Sequence, residues 1–264
     1  MAQVSSISRV GTTEPFELQI SRGQISFHKF VHKFGYNPSI GTSDETIWSE
    51  GGLYAYPASA STMYISSSST ADTSAGTGAR TATVSGLDAN FDEISETVSL
   101  NGQTGVQLNG ALNWYRVNRI IVNTAGSGGA NAGVLYVGTE ATPSGGIPTN
   151  KYATVAIGDN QTLMCIWTVP RGYTAYLHQK DVSASSSSGK FAIFTLVARP
   201  DGGVFNVKDR VTLANNSTSI PYWNPIPFSE KTDIEVRAEA DSSGGTITAS
   251  ATLDITYIKN DGSL

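Results

Sequence analysis

Few side chains in this sequence are spaced for bond-making chemistry. His28 and His32 stand four residues apart, and the chain holds three histidines. On a helix that spacing turns both rings to one side, where they could share a metal. No acidic residue adjoins the first, as a zinc-hydrolase motif requires. On a strand the rings share a side but lie about 13 Å apart at ~3.3 Å per residue. The segment therefore reads as an aromatic and basic contact surface made of Phe27, His28, Phe30, His32, Phe34 and Tyr36. Asp88, Asp92, Glu93 and Glu96 crowd into a second short stretch. Clustered oxygens suit calcium, and paired carboxylates suit acid–base work on a sugar. The spacing is not that of an EF-hand, and the favoured reading is a polar turn whose Asp and Asn side chains bond the local backbone.

Nucleophiles fare no better. Serine is abundant, but no G-x-S-x-G elbow follows a strand and opens a helix. Cys165 sits within Leu163-Met164-Cys165-Ile166-Trp167, an apolar setting that predicts an inert buried thiol. The glycine loop from Gly126 to Gly133 has neither a P-loop lysine nor a helical pattern behind it. The expectation is a protein with no catalytic residues, no metal and no cofactor, and not an enzyme.

The elements that would position these residues are overwhelmingly strands. Short runs with a period of two recur every ~8–12 residues between Gly, Pro and Asn turns, which predicts antiparallel sandwiches or barrels. Phe16, Leu18 and Ile20 alternate with polar residues and read as a half-buried strand; Leu53–Tyr56, Glu96–Leu100, Trp114–Val122 and Thr162–Val169 read as strands too. Asn101-Gly102 is a hairpin signal. No long stretch carries a period of 3.6. The fold class is all-β, an antiparallel β-sandwich or jelly roll, with two β-regions and an extended N-terminal arm. The Gly- and Pro-rich stretch from Ala141 to Thr149 is the best boundary. It divides the chain into residues 1–50 (arm and anchoring strand segment), 51–148 (a β-sandwich region) and 149–264 (a C-terminal jelly roll).

Composition narrows the function classes. The chain has 264 residues with a formal net charge of −5, and 15% of residues are charged. That balance argues against a broad basic face for nucleic acid, and one cysteine excludes an internal disulfide framework. No apolar run approaches the ~20 residues of a membrane span, and the N-terminus lacks a secretory h-region. Neither a nucleic acid nor a membrane is an expected partner. Uncharged loops such as Ser66–Ser69 and Ser185–Ser188 suit dense packing against other proteins. Tyr222 and Trp223, in a turn bounded by Pro221 and Pro225, form a candidate contact hot spot.

Four blocks carry a family resemblance. They are Phe16–Ile25 with His32–Gly35, Gly86–Glu93 continuing through Glu96–Gly102, Tyr115–Arg119 with Thr124–Gly128, and Phe228–Glu235. Spanning most of the chain, they resemble a family of virion proteins of tailed bacteriophages, found in phages of marine bacteria. The blocks have no catalytic meaning, so the resemblance transfers no site. With the β-rich pattern and the low charge, it implies a virion structural protein assembled in the host cytoplasm and located on the capsid. The specific expectation is a capsid decoration (cement) protein, a homotrimer that bridges capsomers of the major capsid protein. The alternative is a tail or head-fibre component whose Tyr222 and Trp223 stack on host-surface glycan; a depolymerase using Asp88, Asp92 and Glu93 ranks third.

Overall fold

A computed structural model of the chain describes residues 14–109, 112–186, 189–242 and 247–260. A short helix, α1 (Phe16–Ser21), precedes β1 (His28–Asn37) and the two-residue β2 (Glu45–Thr46). The chain then builds a separate sandwich from β3 (Tyr64–Ser67), β4 (Ala79–Asp88), β5 (Glu93–Ser99), β6 (Val106–Gln107), β7 (Trp114–Ala125), β8 (Leu135–Gly138) and β9 (Ala153–Val155). It returns through β10 (Ile166–Thr168). The first sandwich is completed by β11 (Tyr173–Ser186), β12 (Phe191–Arg199), β13 (Asn206–Ala214), β14 (Ser217–Phe228), β15 (Asp233–Ala240) and β16 (Ile247–Lys259).

The first sandwich is a jelly roll by its connectivity. One sheet runs β1-β16-β11-β14 and the other β10-β15-β12-β13, with β2 also on β15. Counted within this sandwich, the first strand pairs with the last, the second with the seventh, the third with the sixth and the fourth with the fifth. This is one long antiparallel ribbon wrapped into two facing sheets, the double Greek key of jelly rolls. Alternate residues point inward, so Leu177, Val182, Phe194, Leu196, Ile234, Val236, Leu253 and Ile255 fill a common core.

The second sandwich is spliced into the middle of one jelly-roll strand. β2 pairs Thr46 with Arg237, and β10 resumes on the same strand by pairing Ile166 with Glu235. Val236, between them, serves both pieces: its carbonyl accepts from Ile47 N and its N–H donates to Cys165 O. Ile47 and Cys165 are joined by Cys165 N–H to Ile47 O at 2.9 Å, and Trp48 bridges Met164. Residues 48–164 thus leave and re-enter without shifting the register. Gly35 makes this possible, because a methyl group there would overlap both Ile47 O and Cys165 N. The inserted sandwich packs sheet β6-β3-β8-β9 against β5-β4-β7 around Met63, Ile65, Val84, Leu108, Trp114, Ile120, Leu135 and Val137.

Several sequence expectations need correction. The division at residue 148/149 fails because β9 pairs with β8 inside the inserted sandwich. Within 1–50, the expected strand segment is β1, a ten-residue strand that belongs to the jelly roll and not to a separate anchoring unit; residues 1–13 lie outside the described residues. Phe16–Ser21 is helix rather than strand. It sits on the outer face of a sheet with no strand edge to join, Pro15 suits its start, and Gln19 and Ile20 face inward while Leu18 is exposed. Leu53–Tyr56 forms no strand; Tyr54 is held instead by edge-on rings of Trp48 and Tyr56. Asn101-Gly102 turns the chain from one sheet to the other and makes no β5–β6 hairpin, since β6 pairs with β3. Of Thr162–Val169, only β10 joins a sheet as a strand.

Candidate functional site

β1 displays the predicted contact residues on one face. His28, Phe30, His32, Phe34 and Tyr36 alternate with the inward Val31, Lys33, Gly35 and Asn37. Phe30 is 42% exposed and Tyr36 38%. Phe27 precedes the strand with a left-handed φ of 65°, its ring also partly exposed. The two histidines serve different partners. His28 Nδ1 bonds Ser26 O and its ring meets Phe16 edge-on, whereas His32 Nδ1 lies 2.5 Å from Asp254 Oδ1.

Beside this row the same face carries hydroxyls. Ser183 bonds Ser250 at 2.6 Å, and Asp181 accepts from Thr252 Oγ1 and Gln179 Nε2, both at 2.9 Å. Its carboxylates, Asp254 and Asp181, are therefore already partnered within the sheet. Burying such a face leaves few uncompensated charges, so it suits a protein partner.

Tyr222 and Trp223 lie in strand β14, and not in a turn as expected. Prolines 221, 225 and 227 are tolerated because β14 is the edge of its sheet. The two rings part company there. Tyr222 is half-buried against the jelly-roll core and donates to Asp209, which also pairs with the buried Lys180. Trp223 is 93% exposed. The hot-spot expectation therefore divides: Tyr222 supports the fold, and Trp223 is the ring available to a partner.

Sequence reasoning missed the densest cluster, at the junction of the two sandwiches. Asp233 accepts Arg116 Nε at 2.9 Å and Nη2 at 3.1 Å, Arg199 Nε at 3.1 Å and Nη2 at 2.6 Å, and Thr168 Oγ1 at 2.6 Å. Arg116 comes from β7 of the insertion, and the others belong to the jelly roll. Rings interleave with the guanidiniums: Tyr115 and Tyr56 lie against Arg116, Tyr56 and Phe205 against Arg199, and Phe205 against Arg237. Glu235, bonded by Arg237 and Thr46, has its pKa raised by burial. These residues come from six separate stretches, each ordinary in sequence, so no local spacing announces them.

The acidic stretch behaves as the turn reading expects. Asp88 Oδ1 accepts from Asn90 N at 2.8 Å and Asp92 N at 2.9 Å, closing the β4–β5 hairpin with Phe91 at φ 64°. Asp92 pairs with Arg171, and Glu93 takes Lys29 and the Tyr257 hydroxyl. Glu96 accepts from Asn109 N. Cys165 is fully buried, and burial pushes its thiol up to about 12.

No family model matches this chain, and no curated protein matches it. Among solved structures, it is similar to a chain of the infectious bursal disease virus Gx strain at 14% identity. That match covers 90% of this chain and 73% of the other, with a TM-score of 0.28. A chain of the infectious bursal disease virus VP2 subviral particle is similar at 12% identity, covering 90% and 74%, with a TM-score of 0.23. Scores this low add nothing to the topology derived above.

Proposed function

We propose that this chain is a structural protein of a virus particle, and specifically a capsid decoration (cement) protein of a tailed bacteriophage. It would act as a homotrimer on the major capsid protein, without catalysis. One observation carries the reading: the outer face of the β1-β16-β11-β14 sheet combines half-exposed rings with hydroxyls and carboxylates already bonded within the sheet. Viral capsid domains are among the established uses of jelly rolls, which supports the reading by analogy of fold alone. The mechanism is mechanical. A subunit that bridges neighbouring capsomers buries further area, ~1,600 Å² in a typical stable interface, and repetition over a lattice adds avidity.

The test is a count and a deletion. Quantitative mass spectrometry of purified particles should find this chain at the copy number of a capsid lattice. Removing residues 1–15 together with the variant pair Phe30→Ser and Tyr36→Ser should strip it from particles while the free protein stays folded. A copy number of only a few per particle, or undiminished occupancy, overturns the proposal. A second reading, a tail or head-fibre subunit binding host glycan, is favoured by Trp223 alone, because an isolated exposed indole suits stacking on a sugar ring. Trp223→Ser would then abolish host adsorption and leave particle occupancy unchanged.

A further inference from the structure

Lys33 occupies an unusual place. It points inward from β1, is 2% exposed, and lies where the jelly roll meets β7 of the insertion. Among the described residues its ammonium has one hydrogen-bond acceptor, the neutral carbonyl of Asn118. An ammonium has three donors. The next cation is close by: the Arg119 guanidinium lies over the Phe34 ring and donates to His32 O at 2.8 Å. Among the described residues, neither of these two neighbouring cations pairs with a carboxylate; both bond to backbone carbonyls. Glu93, the carboxylate that lines the same cleft, is already held by Lys29 and by the Tyr257 hydroxyl at 2.9 Å.

Lys33, Asn118 and Arg119 all line a cleft of about 420 Å³ between the two sandwiches. Phe30, Trp167 and Tyr257 form its apolar wall, and Ser85 and Ser95, bonded to each other at 3.0 Å, its hydroxyl wall. Buried charges in proteins are normally paired, because an unpaired one forfeits its hydration without return. We infer that this cleft binds a small oxyanion, a carboxylate or phosphate group, with Lys33 Nζ and the Arg119 guanidinium as its counter-charges. The inference is independent of the virion reading.

Burial and the neighbouring guanidinium set the state of Lys33. Burial first, and Arg119 second, lower its pKa from 10.5 to about 7. The other titratable groups near it are Cys165, whose own thiol is held protonated by burial, and the Lys29–Glu93–Tyr257 group across the cleft. A bound anion would supply a counter-charge and raise the pKa of the lysine. Binding and protonation are therefore linked, and affinity falls as pH rises above about 7.

Calorimetric titration of the whole chain with sodium glucuronate, inorganic phosphate and neutral glucose, below and above pH 7, tests this. Binding of an anion with no binding of glucose, stronger at the lower pH, is the expected result. Glucuronate alone would identify an acidic sugar as the ligand class, and phosphate alone a free oxyanion. Lys33→Met should abolish the binding and Arg119→Gln should weaken it at least tenfold. In the unmodified chain, the Lys33 ammonium followed by NMR should titrate at higher pH once the anion is present. Failure of both anions to bind, equal binding by the folded Lys33→Met variant, or an unmoved Lys33 titration overturns the inference.

Discussion

Asp233 and Lys33 show how differently a buried charge behaves with and without a partner. The Asp233 carboxylate accepts two guanidiniums and a hydroxyl, so the cost of taking these charges out of water is offset by geometry. Removing it strands Arg116, whose side chain is 7% exposed. Asp233→Ala should therefore lower stability by about 3–5 kcal/mol in denaturant unfolding, the range for breaking a buried pair. Lys33 carries the opposite signature. Its folded pKa of about 7 lies below the ordinary 10.5, so between those values the unfolded chain holds the extra proton. The penalty from charging Lys33 is complete below about pH 7 and fades as pH rises toward 10.5. Lys33→Met should flatten the rise in stability over that window, measured by chemical denaturation at a series of pH values. An unchanged slope would show that the lysine is solvated.

At the scale of elements, the jelly-roll strands were legible because at least one face of each is buried. Burial alternates through Val182–Ala184 and Ile247–Ile255, whereas Phe194–Ala198 is buried on both faces, as its near-continuous apolar run reflects. β2 was not legible, because two residues carry no readable periodicity, and the strand expected over Thr162–Val169 shrinks to the three residues of β10. α1 misled for a related reason. Six residues with apolar side chains at 16, 18 and 20 fit a strand, yet position 18 is solvated and 19 is buried, which follows from docking on a sheet face. Gly35 is where an element and the splice depend on one another. Gly35→Ala would press a methyl group into the backbone of Ile47 and Cys165. The expected loss is about 1–3 kcal/mol, the range for forced overpacking, read as a lowered melting temperature. A neutral result would mean that the two linker strands can part without cost.

For the whole molecule, the unbroken register through Val236 makes a strong statement about construction. The jelly roll is complete without residues 48–164, because Ile47 and Cys165 already lie side by side. A chain in which a short Gly linker joins Ile47 to Cys165 should fold cooperatively into the jelly roll alone. Its melting temperature should be lower than that of the full chain, since Asp233 loses Arg116 and the Lys33 side is uncovered. Circular dichroism and thermal melting decide it: a chain without a cooperative transition would show that the insertion is needed for folding. The junction also bears on assembly. Clamped by Asp233, the two sandwiches can present one rigid surface to a partner, as the proposed role on a particle requires.

Local sequence by itself determined that this protein is antiparallel β, that its acidic stretch at 88–93 is a turn, that Cys165 is buried, and that the rings of β1 share one side. Each of these follows from interactions among residues close in the chain, where a period of two or a side chain reaching two residues onward leaves a readable mark. Tertiary structure alone decided where one sandwich interrupts the other, which of Tyr222 and Trp223 faces solvent, and that Arg116, Arg199 and Asp233 meet. Those outcomes depend on pairings between residues separated by tens to hundreds of positions, and a strand's sequence records which face is apolar without recording which strand lies beside it.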